Sequence, residues 1–135
     1  MSFIPVSVRR LVVERAGNRC EYCLFPNQAS TFPHEVDHIV ATKHKGSNSA
    51  ENLCLSCFNC NRHKGSDLSS IDPQTGQIAH LFNPRQDRWS DHFSIRGGHI
   101  EGLTSQGRAT VDLLQFNNPE QIAQRDSLIE AGLYP

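Results

Sequence analysis

The sequence predicts a small α+β domain stapled by a metal ion. Three observations carry this reading. The 135 residues suffice for one compact domain and not for two ordinary ones. Two CxxC pairs, Cys20–Cys23 and Cys57–Cys60, stand well apart in a chain with five cysteines. Short apolar segments around them switch between helical and strand periodicity.

The cysteines come first, because they decide what kind of core to expect. The N-terminus MSFIPVSVRR has no apolar stretch ending in small residues, so no secretory signal is expected. No run of about eighteen apolar residues, the length of a membrane span, occurs either. A soluble, cytoplasmic protein without membrane contact is the expectation, and there thiolates on a metal are favoured over disulfides. The net charge of -1 conceals an asymmetry: Met1 to Lys64 holds eight Lys or Arg against five Asp or Glu, and the remainder five against nine. That surplus beside the cysteines is compatible with phosphate contacts, but it excludes a protein that binds nucleic acid by bulk charge alone.

From Pro5 to Ala16, Val8, Leu11, Val12 and Ala16 recur at spacings of three and four, which predicts an amphipathic helix stopped at Gly17-Asn18. Arginines near its end suit the helix dipole, and one could reach a phosphate. Cys20-Glu-Tyr-Cys23 places two thiolates on a tight turn. Leu24 to Pro33 reads as a loop, and EVDHIVA from Glu35 as a strand with Asp37 and His38 side by side. Lys43 to Asn52 is a polar loop turning at Gly46, and Leu53 and Leu55 begin a second short strand or a turn of helix.

Cys54, Cys57 and Cys60 form CxxCxxC. Cys57 and Cys60 lead directly into a segment where a helix can start, so they complete a four-thiolate zinc site with Cys20 and Cys23. Cys54 is then spare, a buried small hydrophobe, unless the register slips and it replaces Cys57. Four thiolates close the shell of a structural ion and leave no position for catalysis. After Gly65 the stretch SDLSSIDPQTGQ is rich in turn residues, and Leu81, Phe82, Trp89 and Phe93 supply apolar cover for the zinc-bearing half. A hairpin pairs Phe93–Ile95 with His99–Leu103 across Gly97-Gly98. One helix follows Thr104 or Ser105, carrying Val111, Leu113, Leu114 and Phe116. A last helix starts at Asn118-Pro119-Glu120, carries Ile122, Leu128 and Ile129, and stops at Gly132.

Phosphodiester hydrolysis needs an activated water, positive charge on the phosphoryl oxygens and help for the departing oxygen. Neighbours on a strand point to opposite faces, so a bend or bulge is expected to aim His38 at water while Asp37 meets a metal. Asn52 would hold the opposing backbone or orient the imidazole, and a helix from Cys57 would carry Asn61 or His63 beside Asp37. A lone Asp-His pair is more often a surface pair; the flanking cysteines and Asn52 reverse those odds. His34, His44, His80, His92 and His99 lack such context and read as surface or satisfied histidines.

Cys20-Glu-Tyr-Cys23, Val36-Asp37-His38-Ile39, Asn52-Leu53 and Cys57-Phe-Asn-Cys60-Asn61-Arg-His63-Lys64-Gly65 resemble, in order and spacing, the zinc-containing HNH endonucleases. The later HLFNPRQDRWSDHF and GLTSQGRATVDLL resemble the tail of stand-alone bacterial members, especially cyanobacterial ones. The resemblance implies a ββα-metal, treble-clef-like core over residues 8–66, within a single domain 1–135. The C-terminal extension, 67–135, packs its hairpin and helices around that core. It further implies His38 as the general base, Asp37 as a metal ligand, Asn52 as the brace of the ββ loop, and Asn61 as the second ligand with His63 its rival. Oxygen ligands suit Mg²⁺ or Mn²⁺. Lys64, Arg62, Lys43 and Lys45 are the candidate nucleic-acid contacts.

The expected function is metal-dependent cleavage of DNA, with RNA the other substrate to test, and a homodimer is compatible with cutting both strands. The rival readings are a zinc-finger module that binds nucleic acid or protein without catalysis, and a redox or zinc sensor using Cys54.

Overall fold

The structure is a computed structural model and describes residues 3–135. Helix α1 (Val6–Arg15) follows Pro5, which sits at its N-cap in extended conformation. The helix ends at Gly17 and Asn18, both at positive φ (62° and 56°), the left-handed stop that glycine and asparagine tolerate best. Its buried stripe is Val12, flanked by Val8, Val13 and Ala16, packed on Leu53, Leu55 and Val36. Leu11, expected on that stripe, is 47% exposed. The helix meets the strands through positions 8, 12, 13 and 16, and Leu11 lies one residue round the cylinder from Val12, away from Val13.

Strands β1 (Glu35–His38) and β2 (Leu53–Ser56) pair antiparallel, with Glu35 opposite Ser56, Asp37 opposite Cys54 and His38 opposite Leu53. Helix α2 (Phe58–Lys64) follows β2 after Cys57. The ladder runs without a bulge through His38, and the chain bends only beyond it, at residues 39–40. Val36 and Leu55 face α1, and by alternation Glu35, Asp37 and Cys54 occupy the other face. The Glu35 and Asp37 side chains therefore lie between a regular two-stranded ribbon and α2, while His38, the last residue of the strand, is on the face of Val36.

The turn-rich segment after Gly65 contains a hairpin that the sequence reading did not identify, β3 (Ser69–Ile71) with β4 (Ile78–His80). Its strands are three residues long and mostly exposed, so no apolar alternation marks them. A short helix α3 (Trp89–His92) leads into β5 (Phe93–Arg96) and β6 (His99–Gly102), the hairpin expected across Gly97-Gly98. Helix α4 (Ser105–Leu113) is capped by Thr104, whose Oγ1 accepts from Gly107 N at 3.0 Å. Helix α5 (Pro119–Glu130) is capped by Asn118, whose Oδ1 accepts from Gln121 N at 2.9 Å. The expected apolar anchors of α5 are peripheral, Ile129 being exposed. The fully buried residue is Arg125, which donates to the carbonyls of Gly98 and Phe116. Its guanidinium does the work of a core side chain by closing the hairpin carbonyl and the α4–α5 link.

The main core gathers the cysteines with Tyr22, Phe25, Leu81, Phe82, Phe93, Ile100, Leu114 and Phe116. Polar contacts add to it: Trp89 Nε1 donates to Tyr22 O at 2.7 Å, Tyr134 Oη to Cys23 O at 2.7 Å, and Asn59 Nδ2 to Leu114 O at 3.0 Å. Among the described residues no helix is long and apolar enough to cross a membrane.

Candidate active site and metal centre

The two CxxC pairs meet. The sulfurs of Cys20, Cys23, Cys57 and Cys60 all lie within 4.8 Å of one another and all four residues are buried. A tetrahedral zinc with bonds of about 2.3 Å needs sulfurs roughly 3.8 Å apart, and Cys23 and Cys57 are at 3.6 Å. Backbone N–H groups already point at the sulfurs: Cys23 N donates to Cys20 Sγ at 3.5 Å and Cys60 N to Cys57 Sγ at 3.4 Å. The second of these is also the N-cap of α2, so one thiolate would serve zinc and helix together. Burial, followed by the neighbouring thiols, pushes the Cys60 thiol well up; holding four thiolates in this volume requires a cation. The residues fit zinc.

Cys54 lies outside this cluster, its Sγ 3.7 Å from the Tyr22 hydroxyl. Burial pushes its thiol well above the ordinary range, which disfavours the reactive thiolate form.

The second cluster forms where β1 ends. Asp37 Oδ1 accepts from His38 N at 2.9 Å, which fixes the carboxylate. Its Oδ2 is buried with no hydrogen-bond partner. Burial raises the Asp37 carboxyl above its ordinary value, opposed chiefly by the Lys64 ammonium. A buried, unpartnered carboxylate oxygen is costly, and a hard cation would satisfy it.

His38, on the last residue of the strand, has Nε2 2.8 Å from Asn48 Oδ1. Nε2 thus carries the proton towards the amide oxygen, and Nδ1 keeps its lone pair. Asn48 passed unremarked in the sequence because it sits in a run of small polar residues. The expectation that Asn52 might turn the imidazole instead is not met. Asn52 Oδ1 accepts from Val40 N at 2.9 Å, and its Nδ2 donates to Val40 O at 2.9 Å and Ser47 O at 2.8 Å. Three bonds, each contributing on the order of 1 kcal/mol, tie the polar loop back to the chain just beyond His38.

Gly46 turns that loop through close approach and not through positive φ. A Cβ there would fall 1.7 Å from Val40 O. Arg15 closes the other side, donating to Ala50 O at 2.9 Å and Leu53 O at 2.8 Å. This arginine, a candidate for phosphate, is occupied in holding the turn that carries Asn52.

On α2, positions 61 and 64 face β1. Asn61 Nδ2 donates to Glu35 Oε2 at 3.0 Å, and Lys64 Nζ to Ile39 O at 3.0 Å. Lys64, expected on the nucleic-acid backbone, is only 2% exposed; it lies one helical turn from Asn61 on the inner side and joins α2 to β1. His63 points elsewhere, its Nδ1 donating to Asn59 O at 2.8 Å. Arg62 is exposed, its guanidinium 5.7 Å from the centre of the Phe58 ring. Lys43 and Lys45 are exposed on the polar loop. His34 is a satisfied core histidine, donating to Phe25 O at 2.8 Å.

Two antiparallel strands and a helix around an orphaned carboxylate, stapled by four cysteines, define the zinc-stapled ββα-metal class. Residues 20–67 match the family described as HNH endonuclease, and that stretch contains both cysteine pairs, β1, β2 and α2. That stretch is thus similar to an HNH endonuclease domain. The chain is also similar to Septu protein PtuB of Bacillus thuringiensis, 27% identical over 125 residues, which is 90% of this chain and 46% of the relative. The chain therefore spans about half the length of that relative. No solved structure matches it.

Proposed function

We propose that this chain is a divalent-metal-dependent endonuclease that hydrolyses phosphodiester bonds in DNA. The observation that carries the reading is Asp37 Oδ2, a buried carboxylate oxygen without a partner, one residue from an oriented histidine and facing α2. Asp37 and Asn61 would hold Mg²⁺ or Mn²⁺ through oxygen. A divalent ion bound there supplies positive charge to the phosphoryl and leaving oxygens.

The chain's own groups do the rest. His38 Nδ1 takes a proton from water while Nε2 stays bonded to Asn48, so the ring keeps its orientation as it becomes charged. Asn52, Gly46 and Arg15 hold the loop that carries Asn48. Lys64 anchors β1 to α2. Arg62, Lys43 and Lys45 are free to meet phosphates. Zinc in the four-cysteine site keeps the ribbon and helix together and takes no part in the chemistry.

The test is cleavage of supercoiled plasmid, linear duplex, single-stranded DNA and RNA in parallel, with Mg²⁺ or Mn²⁺, by wild type and Asp37→Ala. DNA cleavage is expected, and the variant should lose on the order of a hundredfold or more. Its melting temperature should hold or rise, because an uncompensated buried carboxylate has been removed. Cleavage confined to RNA would overturn the substrate assignment. A folded, zinc-loaded wild type that cuts nothing would favour the non-catalytic binding module.

A further inference from the structure

Glu35 lies two residues before Asp37 on β1, so both side chains project from the same face of the ribbon. Its carboxylate accepts from Asn61 Nδ2 at 3.0 Å. A carboxylate can only accept, so this bond admits one of the two amide orientations: the NH₂ towards Glu35 and Oδ1 away from it. Turned the other way, amide oxygen and carboxylate oxygen would face each other. Along the paired elements Asn61 stands beside Glu35, and Lys64 beside Ile39. Asp37 lies between these two points along the strand.

We infer that Glu35 is a positioning residue that selects the amide orientation of Asn61, so that the oxygen and not the NH₂ is offered to the ion shared with Asp37. An asparagine is a metal ligand only through its oxygen. Left free, its amide presents NH₂ to a cation in about half of its orientations, and the ion must then supply the ordering. This inference rests on the metal site proposed above and specifies how one of its ligands is prepared. It gives Glu35 a role that differs from ligation, because its Oε2 is committed to Asn61.

The experiment measures Mn²⁺ binding to the zinc-loaded chain, by the loss of the free-ion electron paramagnetic resonance signal. The variants are Glu35→Ala, Glu35→Gln, Asn61→Ala and the Glu35→Ala/Asn61→Ala pair, with zinc content and melting temperature checked for each. Glu35 is exposed, so folding should be unaffected. Glu35→Ala should weaken Mn²⁺ binding about tenfold, the lower end of what loss of a ligand's supporting partner costs. Glu35→Gln keeps an acceptor oxygen and should stay within about threefold of wild type. In the Asn61→Ala background Glu35→Ala should have no further effect, because it acts through Asn61.

Equal binding by wild type and Glu35→Ala would overturn the inference. So would an undiminished effect of Glu35→Ala when Asn61 is already removed, which would mean direct or electrostatic action on the ion. Wild type that binds no Mn²⁺ beside intact zinc would instead overturn the underlying metal site.

Discussion

Replacing His38 with alanine should lower the rate of DNA cleavage by about 10²- to 10⁴-fold, the usual contribution of a positioned general base. The size follows from what is left behind. Asp37, Asn61 and the loop braced by Asn52 all remain, so an ion and a phosphate could still bind while water would have to attack without a base. Stability should change little, within roughly 0.5 kcal/mol, because the imidazole is half-exposed and its side-chain hydrogen bond is to a loop amide at the surface. Rate measured at saturating Mg²⁺, beside a thermal melt at equal zinc content, separates the two quantities. A variant that cuts as fast as wild type would remove His38 from the chemistry, and one that melts much earlier would show that it serves the fold.

Zinc removal should have an effect of another kind. Structural zinc contributes an apparent 10–16 kcal/mol or so in small zinc-dependent folds, which matches or exceeds the roughly 5–15 kcal/mol that separates folded from unfolded states in ordinary domains. The four thiolates are at the centre of the main core, with Tyr22, Phe25, Phe82, Leu114 and Phe116 around them. Stripping the ion with a strong chelator, or changing Cys57 or Cys60 to serine, should therefore abolish cooperative thermal unfolding and most helical circular dichroism. Cys57 should be the more damaging position for α2, whose first turn it caps. Cys54→Ala is the matching control. It removes an equally buried sulfur outside the cluster, and should leave zinc content intact at a cost of about 1–2 kcal/mol. If Cys54→Ala released the zinc and Cys57→Ser retained it, the ligand set would be wrong.

Much of the site was legible in the residues because its signals are local. Two CxxC pairs, an Asp-His at a strand end and an asparagine before Leu53 each stand out by type and spacing. The pairing of Cys20 and Cys23 with Cys57 and Cys60, leaving Cys54 aside, could be read from the helix that follows Cys60. What stayed hidden are contacts between distant segments. Asn48 holds His38, Arg15 holds the turn before Asn52, and Glu35 holds Asn61, yet each is an ordinary polar residue in its own neighbourhood.

The burial of Lys64 is hidden from the sequence for the same reason. A lysine at a helix C-terminus is usually solvated, and only the docking of α2 on β1 puts position 64 inside. Leu11 and Arg125 show the converse: apolar character does not ensure burial, nor charge exposure, when geometry and carbonyl partners decide. The β3–β4 hairpin left no trace because strands of three mostly exposed residues have nothing to alternate.

On the proposed function one chain would hold two ions with separable duties, zinc for the fold and a hard divalent ion for cleavage. This is tested most directly by plasmid nicking while Mg²⁺ is withdrawn with a weak chelator that leaves zinc in place, and then restored, with zinc content and circular dichroism followed in the same samples. The expected result is that cleavage stops without loss of zinc or structure and returns with Mg²⁺ or Mn²⁺. Cleavage that persists after the divalent ion is gone, or that fails only when zinc leaves, would contradict the account.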